Sequence, residues 1–175
     1  MSAASEAARS TEVSGEITNF LRESLRLLGE LSVRYEVGID TAPREKTIAS
    51  PRDAADYLYA ELSALPQEQL RAILLDTRNH LLGVQLVAQG SANQALIDLR
   101  DLYREAVRVN AAAIILAHNH PSGDPTPSPQ DVQLTVAAGK AGALLGIELI
   151  DHVVIGRPDF VSLRELGLYS PPLAP

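Results

Sequence analysis

The sequence predicts an α/β (α+β) fold in which a mixed β-sheet is flanked by helices. Short apolar runs bounded by turn residues alternate with stretches of helical spacing, in the order helix, strand, strand, helix, strand, helix, strand. The content of 46% hydrophobic and 21% charged residues is typical of a globular domain. Because the first two strands follow each other directly and each of the next two is preceded by a helix, we expect a sheet covered by helices.

The N-terminal part of the chain differs from the rest. Residues 1–15 are rich in Ala, Ser and Glu without apolar periodicity, which predicts a mobile tail. From Ile17, apolar residues recur at helical spacing, and this helix could dock on the domain or pair with a second copy in a homodimer. We therefore expect a tail over 1–15, a helix and linker over 16–49, a compact domain over 50–170 and a proline-rich tail over 171–175.

Each element of the domain carries its own local signal. Ser50, Pro51 and Asp53 predict a helix start, with a serine cap, a proline in the first turn and an acid three residues after the cap. The apolar run from Leu70 to Leu75 ends at polar turn residues, which predicts a buried strand. The other predicted elements are a hairpin strand over 81–88, a helix over 98–109, a strongly apolar strand over 111–117, a helix over 128–145, and strands over 147–155 and 160–163.

The composition of the chain limits the cellular compartments and the kinds of partner that we expect. The net charge of −7 opposes the broad electrostatic attraction that non-specific nucleic-acid binding needs, so a nucleic-acid partner would require a local basic patch. The chain contains no cysteine, which excludes disulfides, thiolate zinc ligands and a cysteine nucleophile. No signal peptide and no run of roughly 18 apolar residues is found, so we expect a cytoplasmic protein without a membrane partner.

A segment rich in reactive side chains follows the most apolar strand. Residues 117–131 read AHNHPSGDPTPSPQD, and four prolines restrict the backbone between the polar residues. Because side chains alternate along an extended chain, His118 and His120 point to the same side and can offer nitrogens to one ion. With Asp131 as a third ligand and water as a fourth, they would form an open tetrahedral site of the catalytic zinc type.

Ser128 and Asp131 also have a purely structural interpretation. Ser-Pro-Gln-Asp repeats the pattern Ser-Pro-Arg-Asp of residues 50–53, and such a capping box starts a helix without any metal. The two interpretations are compatible, because the serine can cap the helix while the aspartate faces an ion. The capping box alone leaves the neighbouring pair of histidines unexplained.

The spacing of His118, His120, Ser128 and Asp131 matches the pattern H-x-H-x7-S-x-x-D of the JAMM (JAB/MPN) metalloprotease domains. The wording LAHNHPSGDPTPSPQD, together with LDT upstream and DHVVIG downstream, closely resembles the RadC-like branch of that family, and the resemblance covers roughly residues 50–168. It implies a mixed sheet flanked by helices, related in overall shape to the cytidine deaminases.

The resemblance also implies the roles of individual residues. One zinc ion per chain would be held by His118, His120 and Asp131, and Ser128 would donate a hydrogen bond to the oxyanion formed when water adds to a carbonyl. Many RadC-like proteins have an N-terminal helix-hairpin-helix region as well. Residues 16–49 predict only a single helix, so we expect no DNA-related role from that source.

The family's mechanism further requires a glutamate, upstream of the histidines, that accepts a proton from water. Glu68 in QEQLRAILLD is the acid at that place, and Glu61 and Glu105 are weaker substitutes. An ordinary solvated acid is the alternative interpretation of Glu68. We interpret His152 as a core histidine or a neighbour of a ligand, because a fourth protein ligand would leave no place for water.

Three functions are compatible with this sequence. The first is a zinc metallopeptidase that cleaves a peptide or isopeptide bond in an unknown protein or peptide substrate. The second is a metal-dependent nuclease or other DNA-processing factor, as the repair label of the family suggests, although phosphodiester chemistry favours carboxylate-rich magnesium sites. The third is a non-catalytic interaction domain of the MPN type, in which the fold persists without the reaction.

Overall fold

The computed structural model describes residues 39–40, 46–90 and 97–172. The predicted N-terminal tail and the predicted helix that begins at Ile17 lie outside these residues, as do the last three residues of the predicted C-terminal tail. Among the described residues, no helix is both long and apolar enough to cross a membrane.

The described part of the chain contains six strands and three helices, and their order confirms the predicted α+β class. The elements are β1 Ile39–Asp40, α1 Pro51–Leu62, β2 Gln69–Leu75, β3 Leu81–Gln89, α2 Leu99–Arg108, β4 Ala113–Asn119, α3 Pro129–Leu145, β5 Glu148–Ile155 and β6 Phe160–Ser162.

Two details differ from the sequence predictions. The segment predicted as helix and linker contains β1, which pairs with Gln85 and Val84 of β3, because an edge strand can recruit a short segment that carries no pattern of its own. The fourth strand also extends beyond the predicted end at residue 117 and includes His118 and Asn119. The apolar run ends at Ala117, but the backbone of the next two residues continues to pair with β2 and β5.

The strands form one mixed sheet in the order β1-β3-β2-β4-β5-β6. β2 and β3 form the predicted antiparallel hairpin, and β2 is also antiparallel to β4. β4 and β5 are parallel, which requires a crossover connection, and α3 provides it. β6 closes the described sheet antiparallel to β5.

Helices cover both faces of this sheet. α1 packs on one face, and α2 and α3 pack on the other, which we call the α3 face. Strand alternation sorts the side chains of β2 between the two cores: Leu70, Ala72 and Leu74 lie on the α3 face, and Ile73 and Leu75 lie on the α1 face. The site described below lies where β2 begins and β4 ends.

A close approach brings α3 down onto the sheet. A Cβ atom on Gly142 would lie 2.3 Å from the carbonyl oxygen of Ile147 and 2.4 Å from the Tyr103 hydroxyl, so no larger residue fits there. The Tyr103 hydroxyl donates to the Ala138 carbonyl at 2.9 Å, which joins α2 to α3. These contacts fix the depth of the helix whose first turn carries Asp131.

Candidate metal centre

Four side chains converge at the end of β4. One potential ligand atom from each of Glu68, His118, His120 and Asp131 lies within 4.8 Å of the others, so this cluster could hold a metal ion. His118 Nε2 lies 3.0 Å from His120 Nε2, 3.2 Å from Asp131 Oδ1 and 3.9 Å from Glu68 Oε1. His118 and Asp131 are fully buried, whereas the side chain of Glu68 keeps 23% of its surface exposed.

Strand register explains how three of these residues meet. Leu70 of β2 is paired with His118 of β4, and continuing this antiparallel register places Glu68 beside His120. Residues two positions apart on a strand share a face, so Glu68, His118 and His120 all lie on the α3 face. Asp131 then enters from above, because it lies in the first turn of α3.

The ring of His120 is oriented by the loop that follows it. Its Nδ1 lies 2.7 Å from the backbone oxygen of Asp124, and a carbonyl can only accept, so Nδ1 carries the hydrogen. A neutral His120 therefore directs an unprotonated Nε2 into the cluster. Arg157 holds this loop in place through two hydrogen bonds. Its guanidinium donates to the Pro121 carbonyl at 2.7 Å, and its backbone N–H donates to the Gly123 carbonyl at 2.8 Å.

Behind His118 lies a chain of buried polar groups. His118 Nδ1 is 2.8 Å from Nε2 of His152, whose Nδ1 is 2.6 Å from the hydroxyl of Thr135. The Thr135 hydroxyl is also 2.6 Å from the backbone oxygen of Asp131. His152 is thus a buried neighbour of a predicted ligand, and Thr135 is a contributor that the sequence analysis missed.

Asp131 divides its two carboxylate oxygens between two tasks. Oδ2 accepts from the backbone N–H of Ser128 at 2.7 Å and from the Ser128 hydroxyl at 2.6 Å, which completes a capping box. Oδ1 faces His118 Nε2. Oδ2 also lies 3.7 Å from His120 Nε2, so the capping and ligand interpretations of this aspartate are compatible.

The backbone around Glu68 is held by Asn119, whose role the sequence analysis missed. The Asn119 side-chain oxygen accepts from the N–H of Gln69 at 2.9 Å, and its NH₂ group donates to the carbonyl of Gln67 at 3.1 Å. Glu68 lies between these two clamped residues, and its carbonyl accepts from the N–H of Gly90 at 3.0 Å. Strand alternation was the available signal, because it turns Asn119 away from the histidines.

The two weaker substitutes for Glu68 lie elsewhere. The carboxylate of Glu61 pairs with Arg71 at 2.5 Å, and that of Glu105 pairs with Arg108 at 2.5 Å. Neither belongs to the cluster. Glu68 is therefore the predicted base that the structure brings to the histidines.

The electrostatics of the cluster favour neutral buried rings and an ionised carboxylate. Burial lowers the pKa of His118 to about 4, and burial also lowers the pKa of His152 well below its ordinary value. Burial alone would raise the pKa of Asp131, but hydrogen bonding with His120, the proximity of His118 and hydrogen bonds from Ser128 together lower it. The contact with Asp131 raises the pKa of His120, the more exposed ring.

The donor set fits a metal ion. A tetrahedral ion with ligand bonds of about 2.0 Å separates its ligand atoms by about 3.3 Å, and the His118 nitrogen lies 3.0 Å from His120 Nε2 and 3.2 Å from Asp131 Oδ1. When both imidazole nitrogens are unprotonated and the carboxylate is ionised, a metal cation between them would offset their mutual repulsion.

Comparison with known proteins agrees with this geometry. The family model described as the RadC-like JAB domain matches residues 48–168. A UPF0758 protein of Roseiflexus castenholzii is 52% identical over 121 residues, which cover 69% of this chain and 52% of that protein. A UPF0758 protein of Clostridium beijerinckii is 41% identical over 141 residues, covering 81% of this chain and 61% of that protein.

A third relative, a UPF0758 protein of Desulfitobacterium hafniense, is 40% identical over 157 residues, covering 87% of this chain and 69% of that protein. The chain spans about half the length of the first curated relatives it matches. The matched segment contains all four residues of the cluster. By sequence and by fold, the chain belongs to the RadC-like JAB domain family.

Proposed function

We propose that the chain is a zinc-dependent hydrolase of the JAMM type that cleaves a peptide or isopeptide bond with water. The observation that carries this proposal is the convergence of two imidazole nitrogens, a carboxylate oxygen and a partly exposed glutamate at one point. Zinc accepts nitrogen and oxygen ligands in this number and keeps a further position open in catalytic sites. His118, His120 and Asp131 would hold the ion.

When bound, zinc would supply a more acidic water and would polarise the carbonyl of the substrate. Glu68 is suited to accept the proton of the attacking water, because its carboxylate faces both His118 and solvent. As water adds to the carbonyl carbon and the C–N bond breaks, Glu68 would pass this proton to the departing amine. The first products are a carboxylic acid and an amine, the acid then gives its proton to the amine to leave a carboxylate and an ammonium group, and Glu68 returns to its starting charge.

Ser128 is proposed as the donor to the oxyanion. Its hydroxyl hydrogen is directed at Asp131 Oδ2 at 2.6 Å, so this role requires rotation about the Cβ–Oγ bond. The backbone N–H of Ser128 also donates to Oδ2, at 2.7 Å, so the carboxylate keeps one partner from the same residue after rotation. The hydroxyl can thus serve as cap and as donor in turn.

The experiment measures zinc content first and cleavage second. Purified wild type should contain about one zinc per chain by elemental analysis, and His118→Ala and His120→Ala should each abolish this zinc. Full zinc occupancy in both variants would contradict the assignment of ligands.

Cleavage is then followed with two probes, a quenched peptide library with randomised positions and a peptide joined to a lysine side chain by an isopeptide bond. Glu68→Gln should keep the zinc and lower the rate by about 10²- to 10⁴-fold, the usual contribution of a general base. Glu61→Gln is the matched control, because that glutamate is exposed and pairs with Arg71 outside the cluster.

The alternatives give different results in the same assays. A wild type that carries zinc but cleaves neither probe would favour the non-catalytic interaction domain. Cutting of DNA that depends on magnesium and disappears in Asp131→Ala would favour the DNA-processing alternative.

A further inference from the structure

A chain of three hydrogen bonds connects two of the proposed zinc ligands through residues that do not touch the metal position. It runs from His118 through His152 and Thr135 to the backbone oxygen of Asp131, with distances of 2.8, 2.6 and 2.6 Å. All four residues are fully buried, so water does not replace any of these partners. The chain joins β4, β5 and α3, the three elements that meet at the site.

The direction of this chain is fixed at the Asp131 end. A backbone oxygen can only accept a hydrogen bond, so the hydroxyl of Thr135 donates to it. A hydroxyl has a single hydrogen, so the Thr135 oxygen must accept from Nδ1 of His152. The hydrogen of His152 therefore lies on Nδ1.

The hydrogen on His152 Nδ1 in turn determines the tautomer of His118. A neutral His152 with its hydrogen on Nδ1 has an unprotonated Nε2, and full burial opposes a second proton on this ring. This Nε2 accepts from His118, so the hydrogen of His118 lies on Nδ1 and its Nε2 lone pair is directed into the cluster. The opposite tautomer of His118 would direct an N–H at His120 Nε2, 3.0 Å away, and could not bind a metal.

We infer that His152 and Thr135 are positioning residues that hold His118 in the one tautomer able to bind the metal, and that tie this ligand to Asp131. The inference rests on the proposed metal site. It also gives a role to both residues of the DH pair in the DHVVIG segment. The Asp151 carboxylate holds the backbone of His152, because it accepts from the backbone N–H of His152 at 2.7 Å and from the Ser162 hydroxyl at 2.5 Å.

The first test reads the tautomer directly in the metal-free protein. Long-range ¹H–¹⁵N NMR spectra distinguish a protonated from an unprotonated ring nitrogen, and we expect Nδ1–H on both His118 and His152 of the wild type. A wild-type His118 protonated at Nε2 would overturn the inference. Because no metal is needed, this result is separate from the success or failure of the proposed hydrolase.

The second test measures Zn²⁺ affinity by competition with a chromophoric chelator. His152→Phe keeps a ring but removes the acceptor, and we expect affinity to fall about 10- to 100-fold, as is usual when the partner of a ligating histidine is lost. In the same variant, His118 should shift toward the Nε2–H tautomer. If His152→Phe binds zinc as tightly as the wild type does, the positioning role is refuted. Zinc binding by the wild-type protein would still support the metal site in that case.

A gentler pair of variants covers the case in which His152→Phe does not fold. Thr135→Val removes the hydroxyl at nearly constant volume and should lower affinity, whereas Thr135→Ser keeps the hydroxyl and should bind zinc as the wild type does. His80→Gln is the control for loss of a histidine, because His80 pairs with Asp76 in a turn away from the cluster. Equal affinities in Thr135→Val and Thr135→Ser would contradict the inference.

Discussion

Two helices of this protein begin with the same local sequence but lie in different surroundings. The α1 start (Ser50 and Asp53) and the α3 start (Ser128 and Asp131) both read Ser-Pro-x-Asp. In each, the serine hydroxyl donates to the aspartate, at 2.9 Å and 2.6 Å, and accepts from the aspartate N–H at 3.2 Å. The two serine side chains therefore make the same capping contacts.

The surroundings of the two aspartates differ. Asp53 is half-buried, and its pKa is lowered first by the Ser50 hydroxyl and then by the N–H of Ala49. Asp131 is fully buried, and its second oxygen faces His118. A capping aspartate therefore becomes a candidate ligand only when the fold brings histidine nitrogens to its carboxylate, as it does for Asp131.

The sharpest test of this comparison exchanges each carboxylate for an amide. Asp131→Asn keeps a capping side chain but removes the charge, so zinc affinity should fall by more than the roughly 10- to 100-fold typical of residues that only orient a ligand. Asp53→Asn should bind zinc as the wild type does. Chelator competition measures both variants, and equal affinities would mean that the two aspartates are equivalent caps.

The next largest effect concerns the two serines. Ser128→Ala should lower turnover about 10²- to 10³-fold with zinc retained, if its hydroxyl stabilises the oxyanion. Ser50→Ala should turn over the same peptide probe at the wild-type rate. Should Ser128→Ala instead lose zinc and recover full turnover at saturating zinc, the serine would only orient Asp131.

Acidification should lower the stability contributed by the histidines near the α3 start and should leave the contribution of the α1 start unchanged. The pKa of His118 is lowered to about 4 in the folded protein from an ordinary value of 6.5, and that of His152 is lowered as well. Between these pH values the unfolded chain binds more protons than the folded one, so acidification destabilises the metal-free protein. The pKa of His120 is raised, so the effect of this ring on stability has the opposite sign. Its stabilising contribution is complete below pH 6.5 and is lost as the pH rises.

The expected slope is about 1.4 kcal/mol per pH unit for each buried histidine that titrates only in the unfolded chain. Urea unfolding with a chelator at pH 6.5 and pH 4.5 measures it. His118→Gln should reduce the difference between the free energies of unfolding at the two pH values. An identical pH dependence in the wild type and in His118→Gln would argue against a buried neutral His118.

The smallest effect is that of the α1 start alone. Ser50→Ala removes an N-cap and should lower the free energy of unfolding by about 1 kcal/mol. We expect the same loss at both pH values, because its capping contacts involve no histidine. A loss that grows with acid would show that the two starts are coupled.

Much of the fold could be predicted because its signals are local. The N-cap serines, the apolar run of β2 and the hairpin to β3 follow from residues close together in the chain, and the structure has them at nearly the predicted positions. The pairing of β1 could not be predicted, because it depends on the free edge of β3 rather than on the composition of Ile39–Asp40.

The candidate site shows the same division. Alternation along β4 was enough to put His118 and His120 on one side, and the Ser-Pro-x-Asp pattern was enough to put Asp131 in the first turn of a helix. The place of Glu68 followed from resemblance to a family. Its physical cause is the register between β2 and β4, together with the clamp of Asn119 on the backbone.

By itself, the sequence determined the elements, the alternation of side chains on each strand and the chemical types of the candidate ligands, because these depend on neighbours within a few residues. Only the tertiary structure decided that His152 and Thr135 lie behind His118. These contacts join residues 17 and 34 positions apart, and no local pattern fixes such distances. The packing of α3 across β4 and β5 sets them.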